Sequence, residues 1–270
     1  MHDILVSVIM AVHNGEVFLT ESIESVLNQS HKNLELIIID DASTDNTHHI
    51  LNDYKKRSNI KIFYNLNNIG LTKSLNKGIE SSAGKYIARI DADDVWLPQK
   101  LELQLKYLVS RPGIFLSGTN FLFIDEVGEI IQRTGTSELS ELITPDLIKR
   151  LLTRYNPFCH SSIVFDRAIL SLIGRYNERY KYGQDYEFWV RINLKFDSVI
   201  IGGEPLVYKR ITENIIGIKR RRIQSWYGFK AACKAILKYE KKYVTAGSYL
   251  SCLKKLFRAF TPNFLANAFK

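Results

Sequence analysis

Cysteine is scarce in this chain of 270 residues: Cys159, Cys233 and Cys252 stand far apart and form no CxxC pair. Neither a disulfide framework nor a zinc site is therefore indicated, and a reducing cytoplasm is the expected compartment. Long apolar runs are missing as well. No segment approaches the roughly 20 apolar residues that span a bilayer. The start, Met1-His2-Asp3, lacks the basic region of a secretory signal, and the apolar stretch from Ile4 to Val12 is only strand length. No G-x-G-x-x-G follows that first strand, which argues against hydride transfer with a dinucleotide, and no internal repeat suggests a solenoid. Acids are missing from one end. From Gly217 to Lys270 there are 13 Lys+Arg and a single acid, Glu240, whereas the rest of the chain carries 24 basic against 27 acidic residues. The net charge of +9 thus resides in the tail. Such asymmetry marks a surface that meets anionic lipid or nucleic acid.

What is present, 46% hydrophobic and 24% charged residues, is ordinary globular composition. Residues 4–12 read as a strand, followed by an amphipathic helix from about Glu16 to Gln29. A second strand at 34–40 leads through Asp41-Ala42-Ser43-Thr44-Asp45 into a helix near 46–57. Ile60 to Tyr64 is a third strand, Leu71 to Ser82 a third helix, and Tyr86 to Ile90 a fourth strand. Repeated β-α-β units predict an α/β fold with a mainly parallel sheet covered on both faces. Beyond it come a helix from Trp96-Leu97-Pro98 to about Ser110, a strand over Ile114–Ile124, and a polar stretch from Thr134 to Pro145 that reads as a mobile loop. Helices near 146–154 and 166–173, an apolar stretch at 161–165, a helix from about Asp185, and strands near 198–201 and 206–211 follow. The expected division is a ligand-binding half over 1–110, a second half of the same domain over 111–216, and a basic helical tail over 217–270.

Two of the apolar strands run straight into acids: one into Asp40-Asp41, the other into Asp91-Ala92-Asp93-Asp94. In open α/β sheets ligands bind beyond the carboxyl ends of the strands. Acids gathered there repel one another and raise each other's pKa unless a cation or a ligand intervenes. A carboxylate-X-carboxylate at a strand end can direct Asp91 and Asp93 at one Mg²⁺ or Mn²⁺, whose remaining sites take substrate phosphates and water. Read locally, the same acids are turn residues or helix caps, with Asp94 the best candidate for a cap. Arg89, just before them, either pairs with these acids or binds phosphate.

Taken in order, Val6-Ser7-Val8-Ile9-Met10-Ala11-Val12-His13-Asn14, Ser25-Val26-Leu27-Asn28-Gln29-Ser30, Asp40-Asp41-Ala42-Ser43-Thr44-Asp45, Asn68-Ile69-Gly70-Leu71 and Ala88-Arg89-Ile90-Asp91-Ala92-Asp93-Asp94 resemble the family 2 glycosyltransferases of the GT-A fold. The resemblance implies an inverting transfer of a hexose or N-acetylhexosamine from a nucleotide-sugar, UDP-linked, to a saccharide acceptor, as in surface-polysaccharide synthesis. It implies that Val12 and Asn14 line the nucleotide pocket, that Asp41 contacts the base, and that Asp91 and Asp93 form the DxD motif with Asp93 the direct metal ligand. Tyr182-Gly183-Gln184-Asp185-Tyr186-Glu187-Phe188-Trp189 is similar to the family's acceptor-side segment, which makes Asp185 the catalytic base. Gln184 stands where relatives have Glu, an expected change in acceptor contacts. In Asn156-Pro157-Phe158-Cys159-His160-Ser161-Ser162, His160 is a candidate for substrate or phosphate, although a lone His beside two serines is more often structural. Tyr208-Lys209-Arg210-Ile211-Thr212-Glu213-Asn214 resembles a motif with a His at the position of Thr212, a departure that removes a metal or diphosphate partner and turns attention to Lys209 and Arg210.

The tail combines lysines at 230, 234 and 238 with an apolar row of Trp226, Phe229, Cys233 and Ile236, preceded by Arg220-Arg221-Arg222. Basic, amphipathic and aromatic together suit an anionic membrane surface, with the enzyme peripheral on the inner face of the plasma membrane and its acceptor lipid-linked. The alternative is that this row packs on the catalytic domain. Rival functions are a metal-dependent nucleotidyltransferase, for which a glycine-rich phosphate loop is missing, and a basic nucleic-acid-binding module. Given the resemblance, no nucleic-acid partner is expected.

Overall fold

A computed structural model describes residues 3–133, 142–212 and 221–260. The first half alternates strand and helix as the sequence pattern requires: β1 (Val6–Val12), α1 (Leu19–Leu27), β2 (Leu34–Asp40), α2 (Thr47–Tyr54), β3 (Ile60–Tyr64), α3 (Leu71–Glu80) and β4 (Tyr86–Asp91). After β4 come β5 (Val95–Trp96), α4 (Lys100–Ser110), β6 (Ile114–Thr119), β7 (Phe121–Ile124), β8 (Ile130–Arg133) and α5 (Pro145–Leu152). The chain continues with β9 (Val164–Asp166), α6 (Leu170–Ile173), α7 (Gln184–Asn193), β10 (Asp197–Ile201), β11 (Val207–Arg210), α8 (Arg221–Lys238) and α9 (Ala246–Phe260).

Seven strands form the main sheet in the order β10-β6-β9-β4-β1-β2-β3, and β5-β11-β7-β8 form a second, smaller sheet. β1, β2, β3 and β4 are mutually parallel, as are β6 and β10, whereas β9 runs antiparallel between β4 and β6. The fully buried run of β2 and the nearly fully buried run of β1 have apolar clusters on both sides, one around Ile9, Leu116, Phe165 and Trp189, the other around Val8, Ile38, Leu51 and Leu101. Two-sided burial explains why these strands read as unbroken apolar runs. The register sets Val12 beside Asp40 and Ala11 beside Asp91, so both acid groups reach the same edge of the sheet.

Three expectations are corrected. The strand over 114–124 is two strands in different sheets. Asn120 turns the chain between them, its Nδ2 donating to Gly203 O (2.8 Å) and its carbonyl accepting from Leu206 N (3.1 Å). The helix near 166–173 begins as a single tight turn over Arg167–Ile169, capped by the Asp166 carboxylate on Ala168 N, before α6. In the tail, α8 packs on α7. Ala231, Ala232 and Ala235 are fully buried, with Phe229, Cys233 and Ile236 packed against the same core, so most of the expected lipid-facing row belongs to the catalytic domain. Of the Thr134–Pro145 stretch, residues 134–141 lie outside the described residues, as do Arg220 and 261–270.

Candidate active site

Two loops are stitched together at the head of β1 and β2. Asn14, at φ +56°, donates its backbone N–H to Ser43 Oγ (2.9 Å) and accepts from Thr44 N at its Oδ1 (2.8 Å). Val12 buries its side chain in the core, and its carbonyl accepts from Asp41 N (2.8 Å). Asp40 closes the turn by accepting from Ser43 N (2.9 Å). Asp41 accepts three hydrogen bonds: from Asn65 Nδ2 (2.9 Å) and Ile69 N (2.9 Å) on Oδ1, and from Gly70 N (2.8 Å) on Oδ2. This carboxylate therefore shapes the 65–70 loop, with Oδ2 the less occupied oxygen.

The second acid group lies where β4 leaves the main sheet and β5 opens the smaller one. Carboxylate oxygens of Asp91, Asp93 and Asp94 lie within 4.8 Å of one another. Asp91 forms an ion pair with Arg89, and its backbone N–H donates to Ser161 Oγ (2.9 Å). Burial opposes the charge on Asp91, yet the Arg89 guanidinium outweighs it and holds the carboxyl well below the usual range. Arg89 is itself buried, which assigns it to the acid pair and corrects the expectation that it reaches the nucleotide. Asp94 is not a helix cap, since α4 starts only at Lys100; its carboxylate accepts from Arg210 N (2.9 Å) and from the Ser161 hydroxyl. Among the described residues Asp93 is the acid of the three with no side-chain partner. Burial, then the charge of Asp91, pushes Asp93 up, and the same two causes followed by Asp93 push Asp94 up. Crowded carboxylates, Asp91 and Asp93 half-buried and Asp94 buried, with the last two held towards protonation, are what a divalent cation relieves, so the donor set fits Mg²⁺ or Mn²⁺ with Asp93 the most available ligand.

Lys209 and Arg210 alternate on β11 and separate in role. Arg210 donates to the carbonyls of Asp93 (3.0 Å) and Asp125 (2.9 Å), pairs with Glu21, and lies over the Phe18 ring. It is a buried brace, a correction to its expected contact with the diphosphate. Among the described residues Lys209 has no hydrogen bond or close ion pair. It is held charged by the field of Cys159 and, against burial, by Asp94, Asp91 and Asp185. Because burial pushes the Cys159 thiol up to about 11, that group is neutral at pH 7 and the acids carry the effect.

Asp185 lies in the first turn of α7, just after Gly183 at φ +62°, where the helix N-terminus favours negative charge. Burial still dominates and raises its pKa. Its Oδ2 accepts from Asn156 Nδ2 (2.7 Å), and Asn156 is oriented in turn by Phe158 N on its Oδ1 (3.1 Å). Gln184 is buried at the start of α7. His160 takes the structural of its two readings, a correction to its candidacy for substrate or phosphate: its Nε2 meets Tyr176 OH (2.8 Å), its ring packs edge-on to Tyr176 and Trp189, and burial keeps it neutral. Asn156 and Ser161 are assigned no individual role from the sequence. Their only signal is membership of the 156–162 segment, since the acids they serve are 29 and 70 or so residues away.

This arrangement, a mainly parallel sheet whose edge carries a metal-fitting acid cluster beside a second sheet, is that of a GT-A transferase. The structure of S. aureus TarS 1–349 in complex with UDP superposes with a TM-score of 0.70 at 19% identity, over 94% of this chain and 71% of that 1–349 chain. The mannosyltransferase PcManGT from Pyrobaculum calidifontis, in complex with GDP-Man and Mn²⁺, gives 0.66 at 14% identity, over 97% and 78%. The glycosyl transferase family 2 model matches residues 7–174, and the chain belongs to that family. It is 33% identical to Bacillus subtilis EpsE, proposed to be a glycosyltransferase, over 98% of this chain and 92% of EpsE. It is 41% identical to TuaG of the same organism, proposed to be a glycosyltransferase of teichuronic acid biosynthesis, over 84% and 87%. The protein is a glycosyltransferase.

Proposed function

We propose that the enzyme inverts the anomeric centre of a UDP-linked hexose or N-acetylhexosamine as it transfers the sugar to a saccharide acceptor, lipid-linked, in surface-polysaccharide synthesis. The observation that carries this reading is the group of Asp91, Asp93 and Asp94, whose carboxylate oxygens lie within 4.8 Å of one another, on the nucleotide side, with Asp185 held by Asn156 on the acceptor side. A donor diphosphate bound between them meets Lys209. Asp185, held by Asn156, takes the proton of the acceptor hydroxyl as that oxygen bonds the anomeric carbon. The bond from that carbon to the diphosphate breaks, and its electron pair leaves with the nucleotide. Asp93, with Asp91 and Asp94 around it, would hold a divalent cation, which when bound neutralises charge on the departing diphosphate. Asn14 and Asp41 shape the base pocket, with Asp41 Oδ2 facing the base.

TuaG's proposed place in teichuronic acid biosynthesis supports a polysaccharide product, and the TarS complexes with UDP and UDP-GlcNAc support the uridine donor. Calorimetric titration with UDP, GDP and dTDP, each with Mn²⁺ and with EDTA, tests the reading. Metal-dependent binding of UDP is expected; preference for GDP would change the donor. Asp185→Asn is expected to keep UDP affinity while transfer falls roughly 100- to 10,000-fold, the range for loss of a general base. Full turnover by that variant would remove Asp185 as the base.

A further inference from the structure

The face of the tail that packs on the core and the face that meets solvent are different, and the second has chemistry of its own. On α9, Ser248 and Cys252 are buried, and Ser251 and Lys255 are tied to the carbonyl of Arg154. Rotating away from that docked side brings Tyr249, Leu250, Leu253 and Phe260 to the surface, each more than half exposed. At 100° per residue these four fall within an arc of about 100°, one apolar stripe of an amphipathic helix. The exposed Lys254 and Arg258 border it on one side. The stripe continues onto α8, because Trp226 meets Phe260 edge-on with ring centroids 6.1 Å apart and Arg222 Nε donates to Ala259 O. Lys230, exposed, lies over the Trp226 ring.

We propose that this face of the α8–α9 hairpin seats the enzyme on an anionic lipid bilayer, Leu250 and Leu253 entering the acyl boundary while Lys254, Arg258 and Lys230 meet phosphate headgroups. Contiguous exposed apolar surface is uncommon on a freely soluble monomer. A basic rim around such a stripe is complementary to negatively charged lipid. The charge also selects among occupants. Two copies of this face would repel each other, since Glu240 is the lone acid from Gly217 to Lys270. A nucleic acid would satisfy the rim but leave the leucines in water.

The hairpin joins this face to the acceptor side. Tyr227, next to Trp226, packs its ring against Tyr180 and Tyr182 (centroids 5.3 and 6.3 Å), and its Cβ lies beside Gly183, two residues before Asp185. A lipid surface under Trp226 and Phe260 therefore borders the segment carrying the proposed base. The inference goes beyond the sugar-transfer reading and stands or falls separately from it.

The test is sedimentation of the full-length protein with vesicles of phosphatidylglycerol and phosphatidylcholine in equal parts, against pure phosphatidylcholine. Tight binding to the anionic vesicles is expected, with Leu250→Gln/Leu253→Gln lowering the partition coefficient at least tenfold. Lys254→Gln/Arg258→Gln is expected to erase the preference for phosphatidylglycerol and flatten the salt dependence. Far-UV circular dichroism and UDP titration of both variants are expected to match the wild type, which separates a lost surface contact from a lost fold or donor site. Absence of wild-type binding, or undiminished binding by the leucine variant, would overturn the proposal. So would a dimer that this variant dissociates, or an oligonucleotide that binds wild type and leucine variant alike while the vesicles fail.

Discussion

The acid groups at the ends of β2 and β4 look alike as sequence and differ as chemistry. Asp40 and Asp41 are satisfied by the protein, with backbone N–H groups of Ser43, Ile69 and Gly70 and the Asn65 amide aimed at their oxygens. Asp91, Asp93 and Asp94 share one Arg, one Ser and one backbone N–H, and the two that lack the Arg are driven towards protonation. A satisfied carboxylate builds a pocket wall. A frustrated one stores a demand for positive charge, which the protein meets only in part through Lys209.

Asp93→Asn puts the difference between the two acid groups to its most severe test. Transfer is expected to fall roughly 1,000-fold, about 4 kcal/mol of transition-state stabilisation, with the metal-free protein no less stable because a repelling charge has gone. Steady-state kinetics and urea unfolding read the two halves of that expectation. Asp41→Asn should behave oppositely in the second half. Losing charge-assisted bonds and turning an amide towards N–H donors is expected to cost about 3 kcal/mol of stability, read as a lower urea midpoint.

The last test varies pH. Asp93 and Asp94 rise to about 6 and about 7 in the folded chain, so between pH 4 and 7 the native state binds more protons than the unfolded one. Stability of the metal-free protein therefore falls as pH rises through that window and levels off above it. Asp91, shifted down, works in the reverse sense and only below about pH 4. Asp93→Asn or added Mn²⁺ is expected to flatten the slope in thermal unfolding followed across pH. An unchanged slope would mean that the cluster is not frustrated.

Much of this was legible in the chain. Strands buried on both faces announce themselves as unbroken apolar runs, and acids at their ends announce an edge. The order of short segments around Asp41, Asp91, Asp93 and Asp185 pointed to the family. What the sequence hid were long-range partners of polar residues. Nothing local distinguishes Arg210, braced by Glu21 and the Asp93 carbonyl, from Lys209, which has no close partner among the described residues. Nor does anything local mark Asn120 as the residue that turns one apolar stretch into strands of two sheets. On α8 the helical period exposed an apolar row, yet period alone does not say whether a row faces the core or a bilayer. Here Phe229, Cys233 and Ile236 face the core, and the stripe left for another partner is on α9.

The antiparallel β9 carries a consequence for how the chain is made. Synthesis runs from the N-terminus, so β1 to β4 can pair as soon as residue 91 has left the ribosome, but the free edge of β4 belongs to a strand some 75 residues later. Until Val164–Asp166 arrives, a nascent chain presents an open, apolar strand edge to its neighbours. Crowded polysomes translating this message are therefore where mispairing between sister chains would begin, and a ribosome stalled between residues 91 and 164 would leave its product in that state.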